Sequence, residues 1–599
     1  MPQDSDPVAL AADFPNPSRD EWRRLVAAVL ARGARPGAQE DPEQALSSVT
    51  YDGIRIQPLY TADDAPGPGG IDGWPGHPPY VRGATESGAA AAGWDVRTRP
   101  VGADAAAINR AARQDLETGA TSLWLAGVPV GDLPAVLEGV YLDLAPIALD
   151  AGAESAAAGR ALLALAERGG VDPADLRGTV GADPIGLRAR TGAPADLDAL
   201  GRLARESFGG LRLATVDASV YADAGASDAQ ELGIGTAVGV AYLRALTDAG
   251  MAIEAALAAL EFRWTVGVEQ FPSIAKLRAA RRVWSRVAEL CGASGGRGQY
   301  QHAVTSSAML TRRDPWVNML RTTIGCFAAA VGGADAITVT PFDAALGRSD
   351  DFARRIARNT SAILHDESSL ARVIDAAGGS WFVESLTAQL AEKAWDVFTA
   401  IERAGGAAAA LDGGVVESMI AEVRSRRFAD VAHRRAPITG VSEFAWIDEA
   451  PVVRPPVPDA PAGLLPRIRY AQEFEALRDR SDAAPGRPRV YLATLGPFAA
   501  YSARAGFAAN LFQAAGIECV TGPVEEFGRA GTTVACLCSS DKIYAEEAAV
   551  AAKTLREAGA AEVWLAGKAE TDGVDGYVFA GCDALAVLRQ TLETLGVPA

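Results

Sequence analysis

The residues able to carry chemistry are few and unevenly placed. Four histidines occur in 599 residues, His77, His302, His365 and His433, and none follows position 433. The remainder of the chain lacks the side chain that most readily ligates a metal or moves a proton near neutral pH. His302, within QHAVTSSAML (301–310), reads as a core or loop histidine, with a place in a ligand pocket as the alternative. Cys536 and Cys538 form a C-x-C pair in an apolar stretch without a second pair, and read as core residues rather than metal ligands. Arg97 and Arg99 follow Trp94 and are of the type that meets phosphate, but read as solvated or interface residues. Arg278, Arg281 and Arg282 share a predicted helix and read as a charged face. Gly496 follows a predicted strand, where a glycine turn can cradle phosphate, but Pro497 removes one N–H donor.

Composition narrows the classes. The net charge of −19 opposes a dedicated nucleic-acid binder, which needs a basic face. Six scattered cysteines do not form a disulfide framework. No run of 18 apolar residues predicts a membrane span, and the acidic start (1–7) lacks a signal-peptide pattern. The expectation is a cytoplasmic protein with no membrane or nucleic-acid partner. Aromatic residues are only 7% of the chain, so small side chains must do much of the packing.

The elements that must position these residues follow from patterning. Ser18 and Glu21 make a capping-box pattern ahead of an amphipathic helix over 21–31, which Gly33 can end. Residues 52–82 are rich in Gly and Pro and read as an extended crossing segment. Apolar runs at 122–126, 140–145, 176–180, 213–216 and 337–340 alternate with Ala- and Leu-rich helical stretches such as 157–167 and 274–290. Repeated β/α units on this scale suit a (β/α)8 barrel. Residues 351–435 read as mostly helical, and the Pro-rich 450–466 as a stiff linker. Runs at 490–495, 518–520, 534–538, 563–566 and 577–580 predict a flavodoxin-like sheet. The expected organisation is an α/β protein with an arm (1–45), a barrel (46–435), a linker (436–486) and a flavodoxin-like domain (487–599).

Specific strings carry a resemblance. They include DGIRIQPLYTADD (52–64), PGHPPYVRG (75–83), AGASDAQEL (224–232), FPSIAKLRAARRVW (271–284), DPWVNMLRTTI (314–324), DDFARRIARNTSAILHDES (350–368) and VIDAAGGSWFVESLTAQLAEKAW (373–395). In this order they resemble the cobalamin-dependent acyl-CoA mutase family, most closely over 50–435 and less so over 487–599. The opening LAADFPNPSRDEW (10–22) resembles the small subunits of methylmalonyl-CoA mutase in particular.

The resemblance implies a site, and the sequence departs from it. Family members carry D-x-H-x-x-G after the first strand of the C-terminal domain, where the His ligates cobalt and the Asp orients it. The matching stretch, LGPFAAYSARA (495–505), has neither residue, leaving a degenerate loop at Gly496 and Ala500. The later contact turns fall on Ser539, ahead of Ser540 and Asp541, and on Gly567, after Ala566. A tyrosine above the substrate corresponds to Ala89, and a histidine that bonds the thioester carbonyl corresponds to Val220. Neither replacement can donate a hydrogen bond. His302 stands as a vestigial acyl-CoA pocket residue on this comparison. The resemblance thus implies a chain without catalytic or cobalamin-holding residues of its own. It would pair with a homologous catalytic large subunit that binds adenosylcobalamin, with the arm wrapping that partner across roughly 2,000 Å² or more. Two other roles stay open: a competent mutase with unusual cobalamin binding, and a regulatory acyl-CoA-binding module.

Overall fold

The computed structural model describes residues 13–14, 17–32, 41–67, 73–90, 92–293, 298–458 and 462–598. The start at 1–12, the helix stop at Gly33, and residues 68–72 of the crossing segment lie outside the described residues. The N-terminal helix, Arg19–Arg32, starts where Ser18 Oγ accepts the Glu21 N–H at 3.2 Å. None of its residues is buried. Ion pairs clip it to the body: Arg19 and Arg23 both reach Glu43, at 2.8 and 2.9 Å, and Arg19 lies 3.5 Å from Asp64. Leu25 and Trp74 stay in solvent at 58% and 79% exposure, so the arm and the crossing segment leave apolar surface uncovered.

Eight parallel strands then close into a barrel in chain order, the last pairing with the first. They are β1 (Asp95–Thr98), β2 (Ser122–Ala126), β3 (Ile147–Asp150), β4 (Gly178–Ala182), β5 (Arg212–Asp217), β6 (Leu260–Val266), β7 (Gln301–Thr305) and β8 (Ala336–Thr338). The apolar run 140–145 is not a strand. It is a turn with Tyr141 and Leu144 exposed, and the strand begins after Pro146, where Ile147 pairs with Leu123.

β6 shows how alternation builds the barrel. Phe262 and Trp264 point outward to the helix Asp228–Asp248, which has Gly235 and Gly239 beneath them. A Cβ on Gly235 would lie 2.7 Å from the Trp264 ring. Glu261 and Arg263, which alternate with them, point into the barrel.

The helix Trp381–Arg403 packs across the barrel's helical layer, with a buried side chain of Val383 meeting Ile274 and Ala328. Residues 463–470 pass over the strands' C-terminal end, where Leu464, Ile468 and Tyr470 donate backbone N–H groups to the carbonyls of Ala189, Asp223 and Ala308. The C-terminal sheet is parallel: β9 (Arg489–Thr494), β10 (Glu518–Pro523), β11 (Val534–Cys538), β12 (Glu562–Ala566) and β13 (Gly576–Val578), in spatial order 10-9-11-12-13. This is the flavodoxin-like arrangement. Among the described residues no helix is long and apolar enough to cross a membrane.

Candidate functional site

Two places can bind a ligand in this architecture, the barrel interior and the cleft at the C-terminal ends of the second sheet. The barrel interior is occupied by paired charges. Arg97 on β1 donates to Glu261 on β6 at 2.8 Å, and Arg263, also on β6, donates to Asp217 on β5 at 2.8 Å. Arg190 donates to the same Asp217 oxygen, again at 2.8 Å. The Arg263 guanidinium lies 4.0 Å from the centre of the Trp124 ring. Arg97, Glu261, Arg263 and His302 are at most 1% exposed, so the barrel is filled at their level.

His302 is fixed within this network. Arg263 Nε donates to His302 Nδ1 at 3.2 Å, which makes Nδ1 the acceptor and puts the proton on Nε2. Nε2 donates to Thr338 Oγ1 at 2.7 Å, and Thr338 donates to the Arg97 carbonyl. Burial, with the charges of Arg97 and Arg263, holds the imidazole well below its ordinary range, so it stays neutral. Burial opposes ionisation of Asp217, but Arg263 and Arg190 outweigh it and hold its carboxyl down at about 2. Asp183, beside Arg190, goes the other way: burial pushes it up to about 7.

The two catalytic positions taken from the resemblance do not come together. Val220 sits in the short helix Ser219–Asp223 after β5, at the strands' C-terminal end, packed in the core. Ala89 lies in a turn (Gly88–Ala90) ahead of β1, at the N-terminal end of the barrel. His365 is at that same end, with its ring edge-on to Trp94 at 5.1 Å and its Nδ1 on Asp366.

The readings of Arg97, Arg278 and Arg281 need correction, whereas that of Arg99 does not. Arg97 is neither solvated nor at an interface: it is buried inside the barrel. Arg99, at the end of β1, is exposed, with its guanidinium 4.8 Å from the Trp124 ring centre. Arg278 and Arg281 do not form a charged face, because both are buried in the helix Gln270–Leu290. Arg278 pairs with Asp375 and Glu384. Arg281 donates to the carbonyls of Tyr80, Val81, Gly332 and Gly333 and to Gln301 Oε1, over 2.7 to 3.3 Å. Burial and the nearby Arg278 push Arg281 down to about 9. Sequence reasoning missed Glu261, Arg263, Asp217 and Arg190. The signal was LEFRWTV (260–266), where opposite charges two residues apart in an apolar strand must share the inward side.

In the second cleft Ile543 and Arg504 lie against two loop glycines, while residues 496–499 stay exposed. The loop after β9 places Gly496 at φ +74°, and a Cβ there would lie 2.5 Å from Ile543 Cδ1. Ala500 follows, half-buried, in the first turn of the helix Phe498–Gln513. Ser539, after β11, is buried and donates to the Leu495 carbonyl at 2.8 Å. Gly567, after β12, is covered by Arg504: a Cβ would meet its Nη1 at 2.9 Å. Arg504 is held there by Asp541 at 2.6 Å and by the Tyr544 ring, 5.1 Å away. Among the described residues its Nη1 is buried without a hydrogen-bond partner. Cys536 and Cys538 lie fully buried on β11, where burial pushes the Cys536 thiol far up. Among the described residues no three His, Cys, Asp or Glu side chains are grouped to hold a metal. A shallow surface hollow beside Lys553, Arg556 and Asp575 lies apart from this cleft, and Arg556 and Asp575 pair with each other.

A closed parallel barrel followed by a flavodoxin-like sheet, with the barrel interior filled by paired charges, is the class of scaffold that the fold defines. The chain belongs to the methylmalonyl-CoA mutase family, whose model matches residues 49–129 and 125–487. It is 54% identical to the methylmalonyl-CoA mutase small subunit of Streptomyces virginiae over 612 residues, 99% of each chain. It is 39% identical to the small subunit of Propionibacterium freudenreichii subsp. shermanii, over 98% of this chain and 97% of that one. The methylmalonyl-CoA mutase of Escherichia coli K12 is 30% identical over 71% of this chain and 64% of its own length.

Proposed function

We propose that this chain is the non-catalytic small subunit of a heterodimeric, cytoplasmic methylmalonyl-CoA mutase. It stabilises a homologous large subunit that binds adenosylcobalamin and isomerises methylmalonyl-CoA and succinyl-CoA by a radical 1,2-rearrangement. One observation carries the reading: this chain's own side chains fill the barrel interior and lie against the loop glycines of the second cleft. Ile543 and Arg504 take the space above Gly496 and Gly567, and no histidine follows His433 to reach a cobalt. The residues present therefore do not fit cobalamin. In the barrel, Arg97, Glu261, Arg263 and His302 leave no passage at their level for an acyl chain. The names of the two full-length relatives support the same reading.

The test is a cobalamin titration followed by visible absorption, on this chain alone and on the co-expressed pair. No spectral change with the isolated chain, and one cobalamin per heterodimer, is the expected result. A saturable shift with the isolated chain overturns the reading and makes the chain a mutase in its own right. Saturable acyl-CoA binding by the isolated chain, without cobalamin, would make it a regulatory module instead.

A further inference from the structure

The helix Val317–Val331 carries one charged residue, Arg321, and that side chain turns inward. Its Nη1 donates to Asn318 Oδ1 at 2.8 Å and its Nη2 to the Thr439 carbonyl at 2.6 Å. The outer side carries Leu320 and Ile324, exposed by 66% and 37%, with Trp316 one turn earlier. Positions four apart share a helix face. An outer helix of a barrel ordinarily turns charge to solvent, and this one has none to turn.

The surface extends sideways. Phe271, Val373 and Trp381 are also exposed, by 44%, 61% and 47%. Buried Ile274, Ala328 and Val383, with Val331 and Ala377 against them, join the segment before Trp381–Arg403 to both neighbouring helices, so these elements form one flank. Contiguous apolar surface of this kind marks a place of association.

The flank also adjoins the arm. The Tyr60 ring lies 4.8 Å from Phe382, and Phe382 lies 5.1 Å from Phe271. Four residues beyond Tyr60, Asp64 holds Arg19 at the start of the N-terminal helix. That helix leaves Leu25 and Val29 exposed by 58% and 65%, so a partner that covers them lies next to the flank. The net charge of −19 sets two copies of this chain against each other. We infer that this flank, centred on Leu320 and Ile324, is the docking surface for the homologous large mutase subunit. The inference rests on the assembly reading above.

The test measures the Kd of the full chain for the purified large subunit, comparing native protein with Leu320→Glu/Ile324→Glu and with the distant surface variant Val550→Glu. Circular dichroism and melting temperature confirm that each variant is folded. Leu320→Ser serves as a milder second variant. The double variant is expected to bind about 100-fold more weakly, Leu320→Ser about 10-fold, and Val550→Glu unchanged. Unchanged Kd in folded Leu320 variants overturns the inference and leaves the assembly reading intact. Native homodimers that the double variant abolishes, while it still binds the large subunit, overturn it in favour of self-association. Failure of the native chain to bind the large subunit removes the assembly reading and this inference together.

Discussion

Replacing Glu261 with Leu tests whether the barrel interior is a core of paired charges. Glu261 and Arg97 are both fully buried and meet at 2.8 Å. Without the carboxylate, Arg97 keeps only the Ser122 and Tyr300 hydroxyls, each at 3.3 Å, and the Asp95 carboxylate at 3.9 Å. Removing one partner of a buried pair leaves an uncompensated charge and costs about 3–5 kcal/mol. For a domain this large, about 2 °C of melting temperature corresponds to each kcal/mol, so Glu261→Leu should melt about 6–10 °C lower. The double variant Arg97→Met/Glu261→Leu removes both charges and keeps the volume, and should fall within about 1–2 kcal/mol of the native chain. With either single variant costing about 3–5 kcal/mol, a double-mutant cycle by urea unfolding then gives a coupling of at least about 4 kcal/mol. Additive single variants, or a loss below about 1 kcal/mol for Glu261→Leu, refute the paired-core argument.

The barrel should also respond to pH. Burial pushes Asp52, Asp183 and Asp335 up to about 6, 7 and 6. Each binds its proton more tightly folded than unfolded, where a carboxyl releases it near about 3.9. Stability should therefore fall as pH rises from about 4 to 7, giving a higher melting temperature near about pH 5.5 than near about pH 7.5. Asp183→Asn should shrink that difference, and equal melting temperatures in the native chain would contradict it. Asp217, held at about 2, acts oppositely and withdraws stability as pH drops from about 4 towards 2. Gly235→Ala drives a Cβ to 2.7 Å from the buried Trp264 ring and should cost about 1–3 kcal/mol in urea unfolding. Arg281→Leu removes the anchor at Tyr80 and Val81, and should speed amide exchange over residues 75–83 by about tenfold with less effect on β11.

Strands with uniformly apolar runs were legible from sequence, and the run at 534–538 coincides with β11. The barrel strands at 95–98, 260–266 and 301–305 were not, because Arg97, Glu261, Arg263 and His302 interrupt the apolar signal. Those residues are polar for the same reason that they are buried: they face each other across the barrel, at sequence separations no local window spans. The run at 140–145 erred the other way, being apolar yet exposed. Helical spacing placed Arg278 and Arg281 on one side of a helix but could not say what covers that side. The covering groups, residues 80–81 and Glu384, come from far along the chain. In the second sheet, the missing histidine was plain from composition, whereas the packing of Ile543 and Arg504 against the loop glycines needed coordinates.

Arg281 behaves as a cation tethered to the scaffold. Five oxygens, four from backbone carbonyls and one from Gln301, converge on its guanidinium, and among the described residues no carboxylate touches it. Oxygen cages of this sort elsewhere recruit a dissolved metal ion. Here the ion arrives attached to the helix, at an effective concentration that dilution does not change. The hold on the crossing segment is consequently indifferent to chelators and to the potassium or calcium content of the medium.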